Sequence, residues 1–575
     1  MVPVPPTPCT VRDGTASSGL PGGRRSWWRP GRDTVGGFHS EAAAGVSVTT
    51  DDPNWWDGAV GYEVYVRSFA DSDGDGVGDL EGIRRRLPHL AWLGVDIVWL
   101  TPFYPSPMAD FGYDVSDYEA VHPLFGDMAD FDRLVSDAHD LGLRVVIDIV
   151  PNHTSNRHPW FVDARSSPGA ARRDWYIWRD PGPDGGPPNN WWSVFGGPAW
   201  TLDPGTGQYY LHLFLPEQPD LNWANPEVRE AFVGILRFWL ERGVDGFRID
   251  VAHALAKDPG LRDLPQHCRA DESMHRTEAW MCFDHIHDID QPEVHEIYRE
   301  WADLAAGYEA VLVGEVYLLR PSQVVPYVKP RGHLDLAFAF APMHMAYDPS
   351  AYRRLFGRFT ELADRGIAWV QCSHDEPRSV TRFGGGDLGR RRALALSVLM
   401  MGLPGVPWLY QGEELALEDG KVPVDRIVDP VGRIHPEDSR DGCRTPMPWE
   451  EGPGMGFTTG EPWLPMDDRD GGDTVAVQKR DPGSWLNRYR RLISVRHEID
   501  RFARPDSIEW IESPTQVVAY RRGPVLVMAN MADEPVAVTS PPGKWQVRYS
   551  TGRGLPGGSI PPTLGGAEAL IAVRD

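Results

Sequence analysis

The sequence contains few cysteines, and their spacing follows no recognisable pattern. There are five in 575 residues, and no CxxC pair occurs. The positions are Cys9, Cys268, Cys282, Cys372 and Cys443. An odd, scattered set does not indicate a disulfide framework, so we expect free thiols and a reducing, cytoplasmic location.

Long apolar runs and an excess of basic residues are also missing. No run approaches the roughly 18 apolar residues of a membrane-spanning helix, and the N-terminus has no apolar signal segment. We therefore expect no membrane as a partner. The 57 basic and 82 acidic side chains give a net charge of -25, which argues against nucleic acid as a partner. The oligomeric state stays open.

The length and the order of the predicted elements indicate several domains. A chain of 575 residues is too long for one hydrophobic core. Residues 1–50 begin proline-rich and then become basic, and we expect a disordered leader. From residue 51 onward, strands and helices alternate. The eight expected strands lie near residues 62, 95, 144, 244, 310, 334, 367 and 406. This alternation predicts an α/β fold, a (β/α)₈ TIM barrel.

Two segments depart from the alternation. Residues 154–215 are rich in Trp, Pro, Gly and Asn, and a structureless loop of that length is unusual. We therefore predict an inserted subdomain after the third strand, which divides the barrel into residues 51–153 and 216–500. From residue 501 to 575, short alternating strands with Gly and Pro turns predict a C-terminal antiparallel β-domain.

A short acidic loop follows the first strand. It has aspartates at relative positions 1, 3, 5 and 9 and a glycine at position 6, a spacing typical of oxygen ligands for a hard cation. The candidate ligands are Asp71, Asp73, Asp75, the carbonyl of Val77, and Asp79. Position 12 is Gly82, where an EF-hand needs a glutamate, so we expect a structural Ca²⁺ in another fold. A solvated acidic turn is the alternative. We expect no organic cofactor.

Three predicted strands are followed by carboxylates, namely Asp250, Glu315 and Asp375. In a barrel these strand ends meet at one mouth. Arg248 lies two residues before Asp250 on the same strand face, and its charge should keep Asp250 ionised. Glu315 follows an apolar strand, so burial should raise its pKa and suit it to donate a proton. One such acid could be a structural ion pair, but three converging acids favour glycosidic cleavage.

The motifs around these acids resemble those of glycoside hydrolase family 13, the α-amylase family, and its α-glucosidase and oligo-1,6-glucosidase group. The resemblance covers about Trp55 to Asp575. The matching segments are Asp148–His153, Gly246–His253, Gly314–Tyr317, Ser373–Arg378 and Gln218–Asn222. One departure is Ser373, which stands where the family usually has asparagine.

The resemblance implies a role for each candidate residue. Asp250 would be the nucleophile, Glu315 the general acid/base, and Asp375 the third acid, which binds sugar hydroxyls. The implied substrate-binding residues are Tyr113, Asp114, His153, Arg248, His374 and Arg378. Among these, Asp114 and Arg378 would grip the non-reducing end, which implies release of single glucose units. The acidic loop would be the calcium site of this group.

The leading hypothesis is a retaining exo-acting α-glucosidase that hydrolyses short α-glucosides of the maltose or isomaltose type through a covalent glucosyl–Asp250 intermediate. Its partner would be a disaccharide or oligosaccharide. A glucosyl transferase or isomerase of the same family, of the trehalose synthase or sucrose isomerase type, would use the same residues but admit less water. A catalytically inactive binding relative would lack acids that this chain retains. The linkage preference stays open, although Val251 resembles the residue associated with α-1,6 cleavage.

Overall fold

The computed structural model describes residues 54–271, 274–363, 365–466, 469, 471–502, 507–552 and 556–574. The strands of the first half are β1 (Gly61–Val64), β2 (Ile97–Leu100), β3 (Arg144–Ile149), β4 (Trp178–Arg179), β5 (Trp200–Asp203), β6 (Gln208–Leu211) and β7 (Gly246–Ile249). They are followed by β8 (Val311–Gly314), β9 (Leu336–Ala339), β10 (Ile367–Trp369) and β11 (Val406–Tyr410). Eight of these strands close into a parallel barrel in the order β1-β11-β10-β9-β8-β7-β3-β2. The predicted barrel is confirmed.

Helices alternate with the barrel strands. They are α1 (Val66–Phe69), α2 (Leu80–Leu93), α3 (Met128–Asp140), α4 (Pro159–Ser166), α5 (Pro226–Leu240), α6 (Arg276–Trp280), α7 (Val294–Ala306), α8 (Pro321–Val324), α9 (Pro349–Leu362), α10 (Ser379–Arg382), α11 (Gly386–Gly402), α12 (Pro430–Ile434), α13 (Asp441–Arg444), α14 (Val475–Arg480) and α15 (Trp485–Phe502). Local sequence sets several of their ends. For example, the Asn225 side chain caps α5 and Pro226 occupies its first turn, while α2 stops at Gly94, whose φ of 96° favours glycine.

Large side chains fill the barrel interior. Trp99, Phe338 and Trp408 pack against one another with ring centroids 5.6 to 6.2 Å apart. Their bulk requires a small neighbour, because a Cβ on Gly61 would lie 2.2 Å from the Trp408 ring. Close packing of this kind fixes the strands that carry the site.

Among the described residues three further sheets occur, one of three strands between β3 and β7 and two, of five and two strands, in the C-terminal part of the chain. The strands β4, β6 and β5 form a small antiparallel sheet within the segment where an insertion was predicted. The C-terminal strands are β12 (Ile508–Trp510), β13 (Val517–Arg522), β14 (Val525–Asn530), β15 (Val536–Ala537), β16 (Trp545–Ser550), β17 (Thr563–Leu564) and β18 (Ala569–Arg574). Five of them form an antiparallel sheet in the order β12-β13-β14-β18-β16, which confirms the predicted C-terminal β-domain class. The numerical domain boundaries stay predictions.

The cysteine prediction is wrong for one pair. Cys268 and Cys282 form a disulfide, because the chain between β7 and α7 turns back and brings their Cα atoms to 4.9 Å, a distance that a bridge needs. Linear spacing does not reveal such a return. Cys372 and Cys443 are free and buried. The cytoplasmic location stays a prediction, and the disulfide weakens its basis.

The predicted leader, residues 1–50, and Cys9 within it lie outside the described residues. Among the described residues, every helix is too short or too polar to span a bilayer.

Candidate active site

One buried guanidinium, that of Arg248, joins three carboxylates at the mouth of the barrel. Its Nη1 lies 2.8 Å from Asp148 Oδ1 and 2.7 Å from Asp250 Oδ1, and its Nη2 lies 2.8 Å from Glu315 Oε2. Sheet register explains this meeting, since Asp148 on β3 is paired with Arg248 on β7. The Trp99 ring supports the guanidinium at 4.9 Å. Asp250 and Glu315 therefore both contact the guanidinium of Arg248.

Sharing of Arg248 changes the charge expected on the acids. Burial raises the pKa of Asp250 well above its usual value; Arg248 opposes this, and Glu315 and Asp148 add to it. Burial likewise raises the pKa of Asp148 to about 6, although Arg248 opposes the shift. The expectation that Arg248 keeps the pKa of Asp250 low is therefore not met. At Asp250 and Asp148, burial therefore outweighs the attraction of the shared guanidinium.

Asp375 has the opposite environment. Its Oδ1 lies 2.7 Å from Arg444 Nη2 and 3.1 Å from Arg440 Nη1, and its Oδ2 lies 3.3 Å from His374 Nε2. Burial works against ionisation, but His374, Arg440 and Arg444 outweigh it and hold the pKa of Asp375 well below its usual range. The Asp375 side chain is also the most accessible of the three strand-end acids, with 34% exposed, against 7% for Asp250 and 12% for Glu315.

Tyr113, His153 and His374 lie beside the acids, as the motifs predict. Tyr113 Oη lies 3.1 Å from Asp148 Oδ2 and 2.8 Å from His374 Nε2, and the two rings stack with centroids 5.4 Å apart. His374 Nδ1 in turn bonds the buried Glu63. His153 Nε2 lies 3.1 Å from the carbonyl oxygen of Tyr113, and burial lowers the pKa of His153, which favours a neutral ring. The rings of Tyr113, His153 and His374 therefore line one side of the group of acids and carry polar atoms there.

Asp114 and Arg378 do not form the substrate-gripping pair that the motifs predict. Asp114 is fully buried and accepts hydrogen bonds from Ser106 Oγ at 2.8 Å and from two main-chain amides of its own loop at 3.0 Å. Arg378 donates to two main-chain carbonyls, including that of Gln411 at 2.7 Å. No ion pair joins Asp114 and Arg378 within the described part of the chain. Both residues stabilise loops, and this prediction is corrected.

A different pair, Asp110 and Arg440, lies at the mouth. Arg440 Nη2 lies 2.8 Å from Asp110 Oδ1, and Nη1 reaches Asp375. Asp429 completes the neutralisation of this arginine at 2.7 Å, and the guanidinium lies 5.3 Å from the Phe195 ring of the inserted segment. Sequence reasoning missed both residues because neither directly follows the last residue of a barrel strand, as Asp250 and Glu315 do. Their only signal is that each lies in a loop that follows a strand near the mouth.

The unusual Ser373 supports the turn that carries the third acid. Its Oγ accepts the main-chain N–H of Asp375 at 3.2 Å. A serine hydroxyl at this position can therefore hold the Asp375 turn where the family usually has asparagine.

The acidic loop brings three carboxylates together. The residues whose oxygens lie within 4.8 Å of one another are Asp71, Asp73 and Asp79. Clustered carboxylate oxygens repel one another without a cation and suit a hard metal ion, so these residues fit the expected Ca²⁺. Asp75 is outside this cluster, and its Oδ1 accepts the N–H of Val77 at 2.8 Å. Gly76 is required, since its φ is 93° and a Cβ would lie 1.9 Å from the carbonyl oxygen of Glu461.

The barrel and its group of acids at the strand ends define a glycoside hydrolase. More particularly, the chain belongs to the α-amylase family, glycoside hydrolase family 13: residues 63–504 match its catalytic domain, "Alpha amylase, catalytic domain". The resemblance to this family and to its α-glucosidase and oligo-1,6-glucosidase group is confirmed.

Similar proteins carry related names. A probable alpha-glucosidase of Rhizobium meliloti (strain 1021) is 43% identical over 505 residues, which cover 85% of this chain and 91% of that protein. An oligo-1,6-glucosidase of Parageobacillus thermoglucosidasius is 38% identical over 487 residues, which cover 78% and 84%. The crystal structure of an alpha-glucosyl transfer enzyme, XgtA, superposes with a TM-score of 0.85 at 39% identity, covering 91% of this chain and 99% of that one.

Proposed function

We propose that this enzyme is a retaining exo-acting α-glucosidase that hydrolyses short α-glucosides of the maltose or isomaltose type. The observation that carries the proposal is the contact of Asp250 and Glu315 with adjacent nitrogens of one guanidinium. Retaining glycosidases need two carboxyl groups about 5–5.5 Å apart, whereas inverting enzymes need a wider gap for water. A pair held by one arginine supports the retaining geometry.

The proposed mechanism is a double displacement in which Asp250 is the nucleophile and Glu315 moves the proton. In the reactive state Asp250 is charged and Glu315 is protonated. Asp250 attacks the anomeric carbon while Glu315 gives its proton to the departing glycosidic oxygen. Water then attacks the covalent intermediate, and Glu315 accepts a proton from it. Asp375, which its cations keep ionised, would bind hydroxyls of the distorted sugar ring.

The proposal of exo action now depends on Asp110 and Arg440. Their ion pair bonds Asp375 on one side and approaches Phe195 on the other. A charged pair next to the first sugar can bond the hydroxyls of a non-reducing end, and this supports release of single glucose units.

We also propose a structural Ca²⁺ in the acidic loop, held by Asp71, Asp73 and Asp79, with Asp75 and the carbonyl of Val77 as further candidate ligands. The ion would offset the repulsion among the carboxylates. The loop fastens the segment after α13, because Asp71 accepts a hydrogen bond from Thr458 and the Gly76 carbonyl accepts one from Trp463 N–H at 2.9 Å. Cation binding would therefore stabilise the fold without entering the reaction.

A glucosyl transferase or isomerase is the second candidate. It is favoured by the likeness to solved structures named as an alpha-glucosyl transfer enzyme and as a trehalulose synthase of Pseudomonas mesoacidophila, the latter with a TM-score of 0.80 at 32% identity over 91% of this chain and 99% of that one. Both reactions would pass through the same glucosyl–Asp250 intermediate. They differ in whether water or a sugar hydroxyl attacks it.

One set of incubations tests both candidates. The enzyme is mixed separately with maltose, isomaltose, sucrose, trehalose and starch, and the products are followed by NMR from the first minute. We expect glucose from a disaccharide, with the α-anomer formed first and starch cleaved poorly. First-formed β-glucose would contradict retention, and an isomeric disaccharide as the main product would favour the second candidate.

A further inference from the structure

The residue after Asp250 has an unusual backbone conformation. Val251 has a φ of 47°, in the left-handed region that β-branched residues rarely occupy. Such a conformation costs folding free energy and persists only where neighbouring structure enforces it. Val251 is buried, with 8% of its surface exposed, so the surrounding protein must hold it in this conformation.

The left-handed turn directs a main-chain donor at Glu315. The N–H of Val251 donates to Glu315 Oε2 at 2.8 Å. The same turn holds the Glu315 backbone, because the N–H of Ala252 donates to the Glu315 carbonyl oxygen at 3.0 Å. The turn closes on itself through the N–H of Ala254, which donates to the Val251 carbonyl oxygen at 3.0 Å.

The two oxygens of Glu315 are therefore not equivalent. Oε2 accepts a hydrogen bond from Val251 N–H at 2.8 Å and forms an ion pair with Arg248 Nη2, also at 2.8 Å. Oε1 accepts no hydrogen bond from the described residues. An oxygen that already faces two donors, one of them cationic, is a poor place for a proton. The proton of a neutral Glu315 belongs on Oε1.

We propose that the main-chain amide of Val251, held by its left-handed conformation, is a positioning group that reserves Glu315 Oε1 as the oxygen that donates the proton. The proposal rests on the proposed function, in which Glu315 is the general acid/base. It concerns the backbone of Val251 and is independent of its side chain. The proton moves from Oε1 to the glycosidic oxygen as the bond to the anomeric carbon breaks, and Oε2 keeps both of its donors throughout.

Other charged and titratable groups also surround Glu315. They are Arg248, Asp250 and His253 on β7 and the turn after it, Asp148 on β3, Tyr317 after β8, and Asp375 after β10. Within the described part of the chain, only Arg248 joins Val251 in bonding Oε2. A test must therefore change the Val251 amide alone.

An amide-to-ester exchange at position 251 makes that change. Incorporation of α-hydroxyisovaleric acid keeps the side chain and removes the N–H. For the better of maltose and isomaltose, we expect kcat/KM to fall about tenfold. The basic limb of the pH profile should move about one unit upward, because a donor that favoured the charged carboxylate is lost. For 4-nitrophenyl α-glucoside, whose leaving group needs little protonation, the loss should stay below about threefold.

A matched control is the same exchange at Ala254. It removes a hydrogen bond from the same turn but leaves Glu315 untouched, so it should lower the melting temperature without moving the basic limb. Equal losses for the disaccharide and the aryl glucoside at position 251, with an unmoved basic limb, would overturn the proposal.

A second comparison serves if the ester protein does not fold. Val251→Gly and Val251→Ala remove nearly the same side chain, but glycine adopts positive φ without strain. The glycine variant should melt higher, yet its freed amide should shift the basic limb upward relative to the alanine variant. Identical limbs would overturn the proposal. Failure of the proposed function has a separate sign, namely full disaccharide cleavage by Glu315→Gln.

Discussion

Arg440 and Asp110, which are 330 residues apart in the chain, form an ion pair of 2.8 Å beside Asp375. The pair joins the loop after β2 to the loop after β11. The Arg440 side chain is only 9% exposed, and protein carboxylates neutralise its charge. One of them is Asp375, the acid that we propose binds sugar hydroxyls.

Replacement of Arg440 should therefore weaken substrate binding. For Arg440→Ala we expect kcat/KM on the preferred disaccharide to fall at least about a hundredfold, about 2.7 kcal/mol of transition-state stabilisation. Much of the fall should appear as a raised KM, since the contact is already made in the ground state. Steady-state kinetics on the purified variant measure both parameters.

Two further variants serve as controls for Arg440→Ala. Arg426→Ala removes an exposed arginine that pairs with exposed Glu461, and its kinetics should match the parent enzyme, because such pairs contribute little. Arg378→Ala should lower the melting temperature more than it raises KM, because Arg378 bonds main-chain carbonyls. A KM increase larger for Arg378→Ala than for Arg440→Ala would restore the pair that the motifs first indicated.

Removal of a bound cation should destabilise the protein. We expect excess chelator to lower the melting temperature by several degrees, and added Ca²⁺ to restore it, because a ligand that binds only the folded state stabilises it. Asp71→Ser should abolish the response to chelator, since Asp71 belongs to the carboxylate cluster. Differential scanning fluorimetry measures all three. An identical melting curve with and without chelator in the parent enzyme would contradict the proposed ion.

A buried histidine should make stability sensitive to acid. His89 is 7% exposed and packs against Trp92 and Trp449; burial, with Lys479 and Arg86 adding, lowers its pKa from 6.5 to about 3. Below about pH 6.5 the unfolded chain takes up a proton that the folded protein does not, so the free energy of unfolding falls as pH drops toward 3. At pH 5 this group should cost about 2 kcal/mol.

Substitution of this histidine tests the effect. His89→Leu replaces the imidazole with an apolar side chain that cannot take up a proton. The free energy of unfolding, measured with denaturant at each pH, should therefore fall less between pH 7 and pH 5 than in the parent enzyme. His267→Gln is the control, because the His267 side chain is 59% exposed. An unchanged pH dependence in His89→Leu would show that other groups carry the acid sensitivity.

Local sequence patterns predicted the fold well because each barrel element carries its own signal. The strand β11 begins at Val406, where the eighth strand was expected, and α2 has a capping residue at each end, Asp79 and Gly94. Apolar strands with turn residues after them, and helices with caps, are readable without knowledge of their partners. The acids Asp250 and Glu315 were found for the same reason, since each directly follows such a strand.

The predictions that were wrong concern residues whose positions depend on the paths of long loops. Asp114 and Arg378 have the expected charges next to the expected motifs, but their side chains are buried in their own loops. Arg440 lies far along the loop after β11, where no adjacent strand end marks it. The direction of the pKa shift at Asp250 failed because a pairwise view gave Arg248 one acid and the fold gives it three. The Cys268–Cys282 disulfide likewise depends on a chain reversal that residue spacing does not encode.

The central claim is that Asp250 becomes covalently bonded to glucose, and trapping that bond tests it most directly. The enzyme is incubated with 5-fluoro-α-glucosyl fluoride, whose ring fluorine slows hydrolysis of the intermediate, and is then digested and sequenced by mass spectrometry. We predict one fluoroglucosyl group, on the peptide that contains Asp250, and none in Asp250→Asn. Inactivation with the label on any other residue, or turnover by Asp250→Asn at the parent rate, would contradict it.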